Sequence, residues 1–247
     1  MPHTLVAMTA AAALAVTVAF TSPFAKVDVG TKPYLSQLRQ GPPAYSMGCT
    51  GALVTSSIVL FAGSCVKSYP SHGWVAIGPA YKDGKEDNGE WIQIESKTFH
   101  PRLSTTTFEY DVAVVKLVSP SKHDPVVILW DDAPPGSTAW VRGWMPRNRT
   151  DRNLYEAPVR IETTATCRSQ FPWLAFKTIQ CASNDAIQNC FTGIDGPLTM
   201  TTKGGTDALL GLLSLQLSCF EVNRPSDYSR LSKLRDFVEP LLCPLNV

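Results

Sequence analysis

Short runs of apolar and β-branched residues recur along most of the chain, at 51–61, 73–77, 91–94, 111–118, 139–143, 158–163 and 208–217. Each predicts a strand, because an extended backbone turns successive side chains to opposite faces and β-branched residues fit a pleated surface. Gly, Pro, Asn and Asp clusters, such as Lys82-Asp83-Gly84-Lys85 and the stretch 131–136, separate the runs and supply turns. Strands at this spacing predict an all-β barrel or sandwich. Helical periodicity is confined to the tail, 228–242, where Leu231, Leu234, Phe237, Val238 and Leu241 recur at steps of three and four. The tail is expected to lay that face on the core.

The N-terminus breaks the pattern. Residues 5–20, LVAMTAAAALAVTVAF, carry no charge and are followed by Thr21, Ser22, Pro23, Phe24 and Ala25. A membrane-spanning helix needs about 20 apolar residues, so the run is short for a span and reads as a signal peptide. The expected leader is 1–25, cut between 21 and 25, with Thr21 and Ala25 as small-residue cleavage points; the mature domain is 26–247. Only the α-amino group and His3 stand where a leader usually carries Lys or Arg, which leaves an uncleaved anchor as the alternative. After leader removal nothing in the sequence points to a membrane.

Secretion changes the meaning of the seven cysteines, because nothing outside the cell keeps thiols reduced. Taken as neighbours, they pair as Cys49–Cys65, Cys167–Cys181 and Cys190–Cys219, leaving Cys243 over. Closing a loop of about 15 residues stabilises by roughly 3 kcal/mol in the chain-entropy model. Cys243 is either a free thiol in a monomer or a bridge to a second copy. Asn148-Arg149-Thr150 is a sequon, so Asn148 is a candidate glycan site.

The 247 residues are 44% hydrophobic and 17% charged, which excludes disordered, collagenous and coiled-coil classes. Lys+Arg 22 against Asp+Glu 21 leaves a formal net charge of +1, so no strong field points to nucleic acid or an anionic surface. The partner must be recognised by shape. The sequence contains no P-loop, HExxH or CxxC, and it implies no metal or cofactor.

From Cys49 onward the chain resembles the trypsin-like serine proteases of the chymotrypsin fold. CTGALVTSSIVLFAGSC (49–65) resembles the segment ending in that family's Ala-Ala-His-Cys, and YDVAVVKL (110–117) resembles the strand with the buried aspartate. CFTGIDGPL (190–198) resembles the nucleophile loop, LLGLLSLQLSC (209–219) the substrate-binding strand, and YSRLSKLRDFVEPLL (228–242) the terminal helix. The resemblance implies two β-barrels, a linker near 119–136 and a C-terminal helix. The three cysteine pairs coincide with pairs found in that family.

The same comparison implies that the chemistry is lost. A Ser-His-Asp triad needs a carboxylate, an imidazole and a hydroxyl nucleophile. Asp111 stands at the aspartate position, but Ser64 occupies the histidine position and Ile194 the nucleophile position; sliding the loop by one residue puts Asp195 there. No catalytic residue is expected. Thr192 replaces the oxyanion-hole glycine, and Gly193 replaces the aspartate that pairs with the new N-terminus of activated members. Residues 26–30, KVDVG, only distantly resemble the Ile-Val-Gly-Gly start. At the specificity pocket Gln188 replaces the usual Asp or Ser, Ser214 is kept, and Leu215, Gln216 and Ser218 replace Trp, Gly and Gly, so the former pocket is expected to be filled. His72, His100 and His123 sit in turn-rich sequence and read as loop histidines. Asp111 is expected to be a buried carboxylate accepting hydrogen bonds from Ser64 and Ser214.

The middle of the chain, residues 74–94 together with YDVAVVKL and PSKHDPV (120–126), is similar to the glucanase inhibitor proteins of plant-pathogenic oomycetes. That resemblance implies a secreted, inactive protease homologue in the host apoplast whose partner is a plant endo-β-1,3-glucanase. Candidate anchors are Tyr69, Trp130, Arg147, Arg149, Trp173 and Phe220, since aromatic and Arg side chains dominate interface energetics. Two other classes compete: an active hydrolase with an unusual constellation, and an adhesion or decoy protein with another partner.

Overall fold

The structure is a computed structural model that describes residues 24–40, 49–69, 73–79, 89–144, 153–174, 176–183, 196–215 and 225–242. A two-residue strand, β1 (Ala25–Lys26), precedes the first barrel. That barrel is built from β2 (Leu35–Arg39), β3 (Thr50–Thr55), β4 (Ile58–Phe61), β5 (Trp74–Ile77), β6 (Glu90–Phe99) and β7 (Ala113–Leu117), closing in the order β2-β3-β4-β7-β6-β5. Closure removes the exposed edges that an open sheet would leave. Leu35, Leu38, Leu53, Leu60, Phe61, Val75, Ile77 and Val115 on its strands are buried. Gly51 is required at the β3–β4 crossing, because a Cβ there would lie 2.3 Å from the Leu60 carbonyl oxygen.

The chain then crosses through β8 (Val127–Ile128) into the second barrel. Its strands are β9 (Thr138–Trp144), β10 (Leu154–Ile161), β11 (Ile179–Ser183), β12 (Leu198–Thr201), β13 (Asp207–Leu215) and β14 (Ser226–Arg230). They run β10-β11-β14-β13-β12-β9, and the β9–β10 pairing closes the ring; β1 adds to β10 and β8 lies parallel to β13. Among the described residues the α-helices are short: α1 (Gly63–Lys67), α2 (Thr164–Gln170) and α3 (Arg235–Leu242). The protein is thus an all-β, two-barrel chymotrypsin-like fold with a C-terminal helix, and among the described residues no helix is long and apolar enough to cross a membrane.

Local differences from the sequence reading have plain causes. The helical periodicity of 228–242 holds only from Arg235, because Ser226–Arg230 pairs with β11 and β13 and the chain passes a 3-10 turn at Leu231–Lys233 first. The single run 51–61 is a hairpin that turns at Ser56 and Ser57. Strands β2, β11, β12 and β14 carry buried polar side chains (Gln37, Gln180, Thr199, Asp227), which blunt the apolar signal. Helices α1 and α2 are too short to show a period, though Thr163 caps α2 by accepting from the Thr166 N–H at 3.0 Å. Cys49–Cys65 and Cys167–Cys181 are disulfides; Cys190, Cys219 and Cys243 lie outside the described residues.

A buried ionic network joins the barrels. Asp207 at the start of β13 accepts from Lys32 Nζ at 2.8 Å and from the Tyr34 hydroxyl at 2.9 Å, both on the approach to β2. Its other oxygen lies 3.3 Å from a guanidinium nitrogen of Arg142 in β9. Arg142 also donates to Glu156 at 2.8 Å and to the Thr199 hydroxyl. Burial pushes the Tyr34 hydroxyl far above its ordinary range, so it serves as a donor.

Candidate functional site

Asp111 sits between the loop 100–110 and β7, with no exposed surface. Both barrels fix its backbone. The Tyr110 N–H donates to the Thr178 hydroxyl at 2.7 Å, and the Ser229 hydroxyl donates to the Asp111 carbonyl at 2.6 Å, so two second-barrel side chains anchor a first-barrel loop. Lys177 N–H donates to Glu109 Oε1 at 3.2 Å, and Phe108 packs on the cluster of Phe171, Leu174 and Phe176. Phe108 and Tyr110 adopt left-handed backbone conformations, φ 53° and 55°. Such conformations are unfavourable for aromatic residues and persist only where the surroundings over-determine them, as these cross-barrel contacts do.

The carboxylate faces the N-terminus of α1. Ala62 at the cap position has no side-chain acceptor, and Asp111 takes its place from across the barrel. Oδ1 accepts the Ser64 N–H at 2.5 Å, Oδ2 accepts the Ser64 hydroxyl at 2.8 Å, and the Ser214 hydroxyl also donates to Oδ2. Burial pushes the carboxyl above its ordinary value of 3.8, while the donors from Ser214, Ser64 and Gly63 pull it back down. The arrangement satisfies a buried acceptor with short hydroxyls. A relay would need a group that accepts a proton on one side while held by the carboxylate on the other; a serine hydroxyl with its ordinary acidity is no general base.

No described histidine supplies that group. His100 stacks on Tyr110 with ring centroids 4.6 Å apart and meets Phe237 edge-on at 4.7 Å. Burial, and then the Arg102 charge, lower its pKa. His123 lies against Gly78. Neither hydrogen-bonds to Asp111. His72 lies outside the described residues, as do Gln188, Thr192, Gly193, Ile194, Asp195, Gln216 and Ser218. Among the described residues no group of His, Cys, Asp and Glu could hold a metal ion.

The candidate anchors separate. Trp173 is 51% exposed, edge-to-face with Phe171 at 6.0 Å, on the same segment that carries Thr178 to Tyr110. Tyr69 follows α1, its N–H donating to the Val66 carbonyl at 3.0 Å, and its ring packs on the first-barrel core. Trp130 is partly buried, packed against the core, with the guanidinium carbon of Arg235 in α3 5.7 Å from its ring. Arg147, Asn148, Arg149 and Phe220 lie outside the described residues. Sequence reasoning did not find Thr178, Ser229 and Glu109, which hold the Asp111 loop. A hydroxyl on a strand carries no mark of the long-range partner it will meet.

The comparisons with known proteins agree with this geometry. The trypsin family profile matches residues 25–238. The chain is similar to glucanase inhibitor protein 3 of Phytophthora sojae (strain P6497), 32% identical over 222 residues that cover 84% of this chain and 83% of that protein. Glucanase inhibitor protein 1 of Phytophthora infestans is 29% identical over 86% of this chain and 84% of its own length. The serine protease Hayan of Drosophila melanogaster is 26% identical over 90% of this chain and 39% of its own length. With two closed barrels, a buried Asp111 between them and a profile match spanning both, this chain belongs to the trypsin family.

Proposed function

We propose that the protein is a secreted, non-catalytic trypsin homologue that binds and inhibits a plant endo-β-1,3-glucanase. The observation that carries the non-catalytic part is the engagement of Asp111 by Ser64 at the position where the family places its histidine. The names of the similar Phytophthora proteins support the choice of partner. In this reading residues 1–25 contain the leader and Asn148 carries a glycan. Cys190–Cys219 closes the third disulfide, and Cys243 is free in a monomer or bridges two copies. Gln188, Gln216 and Ser218 fill the old pocket beside Ser214, and the surrounding rim holds the partner.

Trp173 is the described candidate best suited to anchor a partner, because it is 51% exposed and its ring stands edge-to-face on the buried Phe171. Titrating the purified protein against plant endo-β-1,3-glucanases, with laminarin hydrolysis as readout, should give stoichiometric loss of hydrolysis. Trp173→Ala should raise the inhibition constant about 30-fold, the equivalent of roughly 2 kcal/mol for a central aromatic. A folded, monodisperse protein that inhibits no glucanase in the panel would sink the proposed partner. Equal inhibition by the variant would move the interface off this rim.

The similarity to a serine protease of Drosophila favours one competing reading, a working hydrolase. A serine-directed fluorophosphonate probe distinguishes the two. Ile194 offers no hydroxyl, so no covalent labelling is expected at neutral pH; stoichiometric labelling abolished by denaturation would establish the hydrolase instead.

A further inference from the structure

We propose that Asp111, Ser64 and Ser214 form a cation site, and that it takes the ammonium group of a lysine side chain on the bound partner. The choice of partner rests on the glucanase reading above; the site does not.

The charge on Asp111 has no internal counterpart. The residue has no exposed surface, and the groups that hold its carboxylate are neutral: the Ser64 N–H and hydroxyl, the Ser214 hydroxyl and the Gly63 N–H. No Lys, Arg or His among the described residues acts on it. The buried Asp207 is different, since Lys32 and Arg142 both lie against it. Hydrogen bonds stabilise a buried charge without cancelling it, and its field carries further through protein than through water. A cation brought near Asp111 is therefore drawn to it. The partial positive charge at the start of α1 does not stand in the way, because the Gly63 and Ser64 N–H groups already point at the carboxylate.

The two hydroxyls decide how a cation is met. Ser64, at 2.8 Å, and Ser214 both donate to the same oxygen, Oδ2, so their Oγ atoms are neighbours. Each hydroxyl has one proton, and that proton is tied to Oδ2; what each Oγ still offers is its lone pairs. Both serines are half-buried, so a ligand can touch them although the carboxylate behind them is covered. Two adjacent acceptors backed by a negative charge suit a compact head with several N–H donors. An ammonium group has three, whereas the planar guanidinium fork matches a bare carboxylate, which is not accessible here. A divalent ion calls for several oxygen ligands of its own, and among the described residues no group of His, Cys, Asp and Glu could hold a metal ion. Lysine carries its ammonium on a flexible four-carbon stem, which lets it reach half-buried hydroxyls from another protein's surface.

The test titrates the isotope-labelled full-length protein with n-butylammonium chloride at low ionic strength, using n-butanol as the neutral control. Saturable amide shifts at Ser64 and Ser214 are expected, with a Kd on the order of 10 mM. n-Butanol should give none, and Asp111→Asn should weaken the ammonium binding about tenfold. No saturable shift in the wild type, or equal shifts with n-butanol, overturns the cation site whether or not any glucanase is inhibited. The partner is tested with a glucanase that the protein inhibits. Acetylating the glucanase lysines removes their charge and should raise the inhibition constant of the wild type about tenfold, and folded Asp111→Asn should show a similar rise against the native glucanase. Unchanged inhibition of the acetylated glucanase overturns the lysine assignment. Failure to inhibit any glucanase in the panel falls on the glucanase reading alone, and the amide shifts then decide the site.

Discussion

Replacing Arg142 with alanine is expected to lower the unfolding free energy by about 3–5 kcal/mol, the usual consequence of removing one partner from a buried ionic cluster. Arg142 is 3% exposed, and its guanidinium reaches three side chains at once: Glu156 at 2.8 Å, Asp207 at 3.3 Å and the Thr199 hydroxyl. Glu156 recovers some solvent when the arginine is gone. Asp207 does not, and it keeps only Lys32 and Tyr34, both contributed by the chain approaching the first barrel. The loss should therefore fall on the junction between barrels as well as on the second barrel. Arg142→Lys should recover only part of it, because an ammonium group cannot satisfy three diverging acceptors from one fork. Urea unfolding of both variants, with an Arg142→Ala/Asp207→Asn double mutant to expose coupling, checks the expectation. A loss below about 1 kcal/mol in Arg142→Ala would mean that the network adds little to stability.

Asp111→Ala is the second large effect expected, about 3 kcal/mol or more in thermal or urea unfolding. The carboxylate accepts the Ser64 N–H and the Ser64 and Ser214 hydroxyls, and each buried donor deprived of its acceptor costs roughly 1–3 kcal/mol. An alanine variant that accumulates at the wild-type level with unchanged Tm would refute the structural role given to this residue. The conservative Asp111→Asn keeps one acceptor oxygen and should lose less. It also reports on charge. Burial raises the folded-state pKa of Asp111 above its ordinary value of 3.8, so the folded protein holds this proton more tightly than the unfolded chain. That contribution is fully present below pH 3.8 and is lost as pH rises through the folded value. Asparagine lacks it, so the stability gap between wild type and Asp111→Asn should be widest in acid and narrow toward neutrality. A gap that widens with pH would mean that the hydrogen-bond donors outweigh burial.

Both effects concern residues whose importance was unequally visible beforehand. Asp111 was legible because YDVAVVKL resembles a family strand, and its expected donors, Ser64 and Ser214, are the ones the structure supplies. Arg142 was not. In sequence it is an arginine between Val141 and Gly143 in an apolar strand, and its partners lie 14, 57 and 65 positions away. Trp130 is a second such case: a tryptophan in a turn-rich linker carries no mark in sequence of the core packing and the Arg235 contact from α3 that it makes.

The all-β class, the family and two neighbour disulfides are legible from the sequence alone, because each is written in local period, residue identity or short spacing. Only the tertiary structure decided which polar side chains share a buried acceptor, which aromatics remain exposed, and that residues 24–27 belong to the second barrel. The physical reason is range. A strand's alternation is a property of neighbours, whereas burial of Phe24, Arg142 or Asp111 is set by strands far along the chain whose arrival no local pattern encodes.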